Sequence, residues 1–554
     1  MRGVQAACPA CGGPVRFKIS SALVTVCEFC RTVVARGDKS VEDLGKVAAL
    51  VETASPLHLG LKGKYNGKSF LIMGRVQYQH AAGGVWDEWY VAFPNNRWGW
   101  LAEAQGRFYL SFEKQLPETV RLPKLDELQP GSRIAVADQM LAVAEVGRAT
   151  AAGAEGEMPF VLHPGESHHY SDLFGPEKRF VTLDFAEERP TVYVGKEVTL
   201  DDLGIGPDVL APEKDPRQIS GIQINCPQCG GPLELRAPDQ TQRVICQHCN
   251  AMLDAAQGKL AYLETLNVGK KEFVIPLGAV GNLNDVEYTV IGAMQRSVTY
   301  EGTDYFWSEY LLYQPRVGFR WLVDSENHWS FVEPVSPGDV EEGGQSASLN
   351  GRTFKLFQQA TATVRYVIGE FYWKVSLGET AYSRDFISPP QMLSIEHSVV
   401  LDTAGAGRKK RKRNDGGPPA LPKSEEAGTV AVETGAISAT SAEVNYSLGT
   451  YVRHEDVEKA FGLSSLPRGW KVAPNQPKPM DNRVFVWWLG FLAALFLFFL
   501  IGNLVGPGAD VCLGLWAAIL VSVLPLCGLF YRHTFEVSRW KDSDYSPYQS
   551  GDDE

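Results

Sequence analysis

A chain of 554 residues is too long for one hydrophobic core and calls for several domains. Its formal net charge of -12 excludes a polyanion-binding surface spread over the whole molecule and leaves nucleic acid only local basic patches. Eight of the ten cysteines fall in two clusters and the other two, Cys512 and Cys527, in an apolar run, so none is left for a disulfide framework and a reducing compartment is expected.

Taken in order, the N-terminus MRGVQAACPACGG has no apolar signal-peptide core, which predicts a cytoplasmic start. Residues 1–38 carry Cys8, Cys11, Cys27 and Cys30, and residues 222–256 repeat the pattern as Cys226, Cys229, Cys246 and Cys249. Two Cys-x-x-Cys pairs about fifteen residues apart can close a tetrahedron of thiolates around one Zn²⁺. Each cluster therefore reads as a zinc ribbon, giving two structural zinc sites. A redox dithiol would need only one reactive pair, and four cysteine ligands leave no open position for catalytic water.

Ser40 to Ala54 has the pattern of a short helix opening at Ser40. From Leu57 the sequence alternates as strands: SFLIMGRVQYQ and WYVAF, then a hairpin over Trp100 to Phe112 turning near Ala104-Gln105-Gly106. The same landmarks return in the second half. Leu59-Gly60 matches Leu277-Gly278, Gly74 matches Gly292, Trp86 matches Trp307, Glu88 matches Glu309, Gly156-Glu157 matches Gly369-Glu370, and Asp172 matches Asp385. A period of roughly 220 residues is far longer than a solenoid unit of about 20–50 residues, so a whole domain is duplicated. The reading is a multidomain, mainly β protein in which each ribbon precedes a β-rich module, residues 57–205 and 270–465, with a barrel-like or bent sheet. FKLFQQATATVRYVIGEFYWKVSL is expected to supply two or three strands of the second module.

Trp307, Glu309, Tyr310, Trp321, Leu322, Trp329, Gly369, Glu370, Phe371 and Trp373, followed by Pro389-Pro390, Met392-Leu393 and Glu396, resemble the domain of unknown function family 4178. The first copy departs from that pattern, with Met158-Pro159-Phe160 in place of the Phe-x-Trp ending. The resemblance implies a bacterial protein, ribbon-headed modules, and gene neighbourhoods with aminopropyl-transfer or decarboxylase-like polyamine enzymes and envelope-stress proteins. It implies no established reaction.

The carboxylates repeated in both copies, Glu88/Glu309, Glu157/Glu370, Glu166/Glu379 and Asp172/Asp385, have two readings. Paired carboxylates can do acid–base work; alternatively they cap turns and pair with arginines such as Arg320 and Arg352 while the aromatics fill the core. The second is preferred, and no catalytic residue is assigned. Trp307, Glu309, Tyr310, Trp321, Glu370, Trp373, Glu379 and Asp385 are the candidate recognition residues. Pro164 to His169, with His163, reads as an exposed loop.

Residues 403–445 interrupt the second module with hardly any large apolar side chain, so they are expected to be disordered. The run Arg408, Lys409, Lys410, Arg411, Lys412 and Arg413 opens this insertion and suits anionic lipid at about 1 kcal/mol per charge near the surface. Apolar stretches at Val484–Val505 and Val511–Tyr531 are each long enough to cross about 30 Å of hydrocarbon, making 484–531 a transmembrane hairpin and 532–554 a tail. Basic residues flank the hairpin and none lies in the Gly506–Asp510 link, which puts both ends in the cytoplasm. Neither stretch holds a charge, which argues against an ion or proton pathway. The function expected is a cytoplasm-facing interaction or sensing platform on a bacterial inner membrane, with a protein partner. The alternatives are an enzyme acting on a small cationic or lipid-derived substrate, and a nucleic-acid module using the ribbons and the basic run.

Overall fold

The computed structural model describes residues 4–548 apart from 20, 37–40, 51–54, 81–84, 105, 137–138, 207–221, 238–239, 257–258, 270, 301, 402–438, 481 and 506–510. The basic run 408–413 and the link 506–510 lie outside the described residues.

Alternating apolar and polar residues make long antiparallel strands in both modules, and the strands close on themselves. The first module contains β1 (Lys68–His80), β2 (Val85–Phe93), β3 (Arg97–Ala104), β4 (Arg107–Glu113), β5 (Gln139–Met158), β6 (Ser167–Gly175), β7 (Arg179–Asp184) and β8 (Thr191–Val198). Pairing runs β1-β2-β3-β4-β8-β7-β6-β5 and returns from β5 to β1, an eight-stranded closed barrel. The second module repeats this ring with β9 (Val286–Tyr300), β10 (Thr303–Gln314), β11 (Gly318–Ser325), β12 (His328–Pro334), β13 (Arg352–Phe371), β14 (Thr380–Ser388), β15 (Gln391–Leu401) and β16 (Ala439–Val452). Every barrel-1 strand thus has its counterpart eight labels later. The barrels meet where β5 pairs β16, with Glu145 opposite Glu443 and Val146 opposite Ala442.

The lumen of each barrel is identified by side chains that meet from strands which are not neighbours. In barrel 1, Trp86 of β2 lies 5.7 Å from Tyr170 of β6, and Trp100 of β3 lies 4.7 Å from Tyr193 of β8. The opposite face of the sheet carries apolar residues in two separate clusters, one around Ile72, Trp89 and Leu110 and one around Leu141, Leu173 and Val181. Those outer faces are covered by flanking segments, through Leu57, Leu61 and Leu203 in the first cluster and Leu128 in the second. In barrel 2 the short helix α1 (His454–Phe461) does part of this covering through Val457.

Four expectations are corrected. Within the helix expected over Ser40–Ala54, whose residues 40 and 51–54 lie outside the described residues, Val41–Lys46 is a strand, because it pairs with Thr32–Arg36 and completes the edge of the ribbon sheet. The stretch from Phe354 to Phe371 lies in one strand, β13, since both its edges are paired along the barrel. Ser167, His168 and His169 begin β6 and are not an exposed loop. Residues 439–445 belong to β16 and pair with β15, so the last part of the expected coreless insertion is a barrel stave.

The apolar C-terminal segments form α2 (Asn482–Val505) and α3 (Val511–Arg539), each long and apolar enough to cross a membrane. The link Trp488 Nε1 to Ser522 Oγ, 3.2 Å, joins them. Where they leave the apolar zone, Arg532 donates to Asn482, and Arg539, 2% exposed, donates to the carbonyls of Ala473 and Pro474 at 3.1 and 2.7 Å. Trp540 then packs on Phe357 of β13, and Ser543 Oγ donates to the Phe357 carbonyl. The hairpin is therefore clamped to barrel 2.

Candidate functional site in the ribbons and barrel lumens

Each ribbon is built from two knuckles whose backbone turns back on its first cysteine. Cys8 N donates to Gly13 O and Gly12 N to Cys8 O; Cys226 N donates to Gly231 O and Gly230 N to Cys226 O. Gly12 and Gly230 sit at φ +76 and +72, the left-handed conformation this turn requires. The Sγ–Sγ distances are 3.7 Å for Cys8–Cys30 and Cys11–Cys27, and 3.8 and 3.9 Å for Cys226–Cys249 and Cys229–Cys246. A tetrahedron with metal–sulfur bonds of about 2.3 Å has edges of about 3.8 Å, so both sets fit a metal centre. The donors are four thiolates in each case.

A carboxylate latches each ribbon to its barrel. Gly156 and Gly369, at φ +77 and +88, let β5 and β13 cross closely over Gly74 and Gly292; a Cβ on Gly74 would lie 2.2 Å from the Glu157 carbonyl and one on Gly292 2.4 Å from that of Glu370. The next residue then reaches the ribbon. Glu157 accepts from Lys18 N and Ile19 N at 2.9–3.0 Å, and Glu370 accepts from Arg236 N, Ala237 N and Thr241 Oγ1 at 2.8–3.1 Å. Burial pushes the Glu370 carboxyl up to about 7 against the lowering pull of those donors. The repeated Gly-Glu pair is thus a ribbon latch, and the structure sets Glu370 apart from the other candidate recognition residues.

Tyr310 is also apart: it is 1% exposed, lies on the outer face of β10 in the apolar cluster with Trp329, and takes a hydrogen bond from Val274 N. Glu309, Trp307, Trp321, Trp373, Glu379 and Asp385 converge around the lumen of barrel 2. Their centre is Arg296 of β9, which no sequence pattern singled out. Its guanidinium reaches across the barrel to Glu396 of β15 in a fork at 2.9 and 3.1 Å, lies 3.5 Å from Glu309, and stands over the Trp307 ring. Burial alone would lower the Arg296 pKa, but Glu309 and Glu396 outweigh it and raise it. Trp307 Nε1 donates to Glu309 at 2.6 Å, Trp373 Nε1 to Glu379 at 3.2 Å, and Gln358 Nε2 to Asp385 at 2.7 Å. Arg320 and Arg352, the arginines expected to pair with these acids, instead donate to backbone carbonyls, and Arg352 also to Ser388 and Gln391.

In barrel 1 strand register puts Tyr78 where barrel 2 has Arg296, since both stand opposite the repeated Trp86/Trp307. Glu145 replaces Gln358, opposite Asp172/Asp385, and Asp184 replaces Glu396. The lumen therefore holds Glu88, Glu145, Asp172 and Asp184, and among the described residues the basic side chains nearest them are the imidazoles of His80, 3.5 Å from Glu145, and His168, 3.7 Å from Asp184, which pair as ions only when protonated. Burial moves these groups toward neutrality. Glu88 rises to about 7 against hydrogen bonds from Tyr90 and Trp86; Asp172 rises to about 8, with Glu145 adding to the effect; His80 falls to about 4. At the seam Glu443 rises to about 7 by burial and by its neighbour Glu145, which accepts from Tyr170 at 2.7 Å. Glu145, Asp184 and Tyr78 carried no identity match to betray them, and Glu443 lay in a stretch that composition marked as coreless.

These features define a class: a tandem protein of cysteine-rich ribbons, each latched to an eight-stranded barrel, with an apolar helical hairpin on the second. The family described as Domain of unknown function (DUF4178) matches residues 58–200 and 276–405, and the chain belongs to it through these two copies. The zinc ribbon described as Nudix N-terminal matches residues 225–252. No curated protein matches the chain.

Proposed function

We propose that this chain is a membrane-anchored platform on the bacterial inner membrane, facing the cytoplasm, in which barrel 2 is the mount and the lumen of barrel 1 senses small organic cations. The observation that carries the reading is the exchange of Arg296 for Tyr78: aligned carboxylates that grip a built-in guanidinium in barrel 2 meet no guanidinium among the described residues of barrel 1. Eight-stranded barrels are wide enough to be filled by side chains or to hold one small ligand. Aromatic rings beside carboxylates favour an ammonium or guanidinium group through cation–π attraction. Zn²⁺ is the metal proposed for both four-cysteine sites, where it supplies folding energy and no reaction.

The test is a saturable thermal shift of the full chain in detergent with methylguanidinium or butylammonium as probe. The shift should vanish in Glu88→Gln/Asp172→Asn and persist in Arg296→Lys. No saturable shift with either probe sinks the reading. Orientation is tested by thiol labelling of a cysteine placed at Ser546, expected to react in inverted vesicles and to be protected in intact cells. A second reading, an enzyme acting on a small cationic substrate, is favoured by the near-neutral pKa values of Glu88 and Asp172, which suit proton transfer. It requires conversion of a bound amine, read by mass spectrometry of the recovered probe.

A further inference from the structure

We propose that the tip of the β9–β10 ribbon is a second membrane contact, with Tyr300, Tyr305 and Phe306 resting at the boundary between headgroups and acyl chains of the bilayer that α2 and α3 span. The β9–β10 pairing continues past Arg296 and Trp307 for four further rungs: Ser297 opposite Phe306, Val298 opposite Tyr305, Thr299 opposite Asp304 and Tyr300 opposite Thr303. On this projection Tyr300 is 51% exposed, Tyr305 46% and Phe306 47%.

The position of the ribbon relative to the helices selects lipid as the occupant. Tyr300 OH donates to Asp544 Oδ1 at 3.1 Å, in the tail just beyond α3. That tail also ties to the barrel through Tyr545, which takes a hydrogen bond from Gln359, itself the acceptor from the half-exposed Tyr382. Four residues after Asp544, the Tyr548 ring packs on His533, next to the Arg532 that binds Asn482 where the two helices leave the apolar zone. The ribbon, the tail and the helix exits thus form one continuous surface. Tyrosine is suited to it, because the ring is apolar and the hydroxyl stays hydrated at the headgroup level.

The sister barrel supplies an independent contrast. The corresponding end of β1–β2 carries His80-Ala-Ala-Gly-Gly-Val85, with no aromatic residue, on the copy that bears no apolar helices. The aromatic tip accompanies the membrane hairpin.

This inference rests on α2 and α3 being membrane-spanning, and the experiment separates the two. The full chain in lipid nanodiscs would carry the photo-cross-linker p-benzoylphenylalanine in place of Phe306, Tyr305, Phe496 of α2, or the exposed Met140 of barrel 1. Lipid adducts detected by mass spectrometry at 306, 305 and 496 and absent at 140 are expected. An adduct at 496 with none at 305 or 306 overturns the ribbon contact alone, and absence at all four positions overturns the membrane reading with it. Cross-links from 306 to a second copy or to scaffold protein, in place of lipid, also overturn it. Near-ultraviolet circular dichroism matching the parent chain shows that each variant is folded.

Discussion

Barrels 1 and 2 share strand order, ribbon, latch and most of their aromatic positions, yet they solve one electrostatic problem in different ways. Barrel 2 sets Arg296 against the buried Glu309 and the one-third-exposed Glu396, and its charge opposes the burial that raises Glu309. Barrel 1 buries Glu88, Asp172 and Glu145 around Tyr78, and its acids are pushed toward the protonated form. Burial raises the carboxyls of both lumens, Glu309, Glu379 and Asp385 in barrel 2 included, but among the described residues only barrel 2 sets a guanidinium against that rise. The copy that carries the apolar helical hairpin is the one with the built-in guanidinium.

Breaking what the copies share should have the largest effect. Metal chelation removes on the order of 10–16 kcal/mol from a structural zinc site of this kind, so both ribbons should unfold together. Hydrogen exchange is expected to show protection lost over 8–30 and 226–249 alike. Loss in one ribbon only would contradict the equivalence of the two four-cysteine sites.

Breaking the difference comes next. Arg296→Met leaves the buried Glu309 without its cation, a change of about 3–5 kcal/mol where a buried pair is broken. Thermal unfolding of barrel 2, followed by limited proteolysis, should fall at pH 8 and recover in part at pH 5.5, since burial raises the orphaned Glu309 carboxyl and favours its protonation. An equal loss at both pH values would mean that Arg296 acts through packing.

The latch should weigh less. Glu370→Gln weakens charge-assisted hydrogen bonds to the ribbon backbone, each worth about 1.5–3 kcal/mol, and should raise hydrogen exchange in 232–245 while barrel strands β14 and β15 keep their protection. Glu157→Gln is expected to do the same at Lys18 and Ile19.

The last contrast is the pH dependence of barrel 1. With folded-state values of about 7 for Glu88 and about 8 for Asp172, above the ordinary carboxyl range near 4, the folded barrel binds more protons than the unfolded chain between about pH 4 and 8. Stability should therefore be highest at the acid end of that window and fall as the pH rises through it. A loss of roughly 2–4 °C in melting temperature per kcal/mol is expected for a module of this size. Glu88→Gln/Asp172→Asn should flatten the profile, and Tyr78→Arg, which imports barrel 2's solution, should flatten it as well. A profile unchanged by both would remove the contrast between the copies.

Much of the architecture was legible because it depends on spacing along the chain. Cysteine knuckles, the strand alternation, the tandem repeat and the two apolar helices are local patterns, each with a direct physical cause in metal geometry, pleat or hydrocarbon thickness. The same locality misled at Val41–Lys46, where a helical pattern yields to an edge strand's need for a partner, and at residues 439–445, where a poor composition still makes a stave because β15 pairs along one edge and β5 meets the other at Ala442 and Glu443. The meaning of the repeated acids was not legible. Gly-Glu at 156–157 and 369–370 is a ribbon latch only because two strands cross at glycine distance. Arg296 aligns with Tyr78 at the same offset as Gly292 with Gly74, but its meeting with Glu396 follows only when ring closure brings β9 opposite β15. Sequence alone thus determined the parts and their order, since each is written within a few dozen residues. Only the closed barrels decided which carboxylates meet and what neutralises them, because those encounters join residues as far apart as Arg296 and Glu396, or Glu145 and Glu443, whose proximity no local pattern encodes.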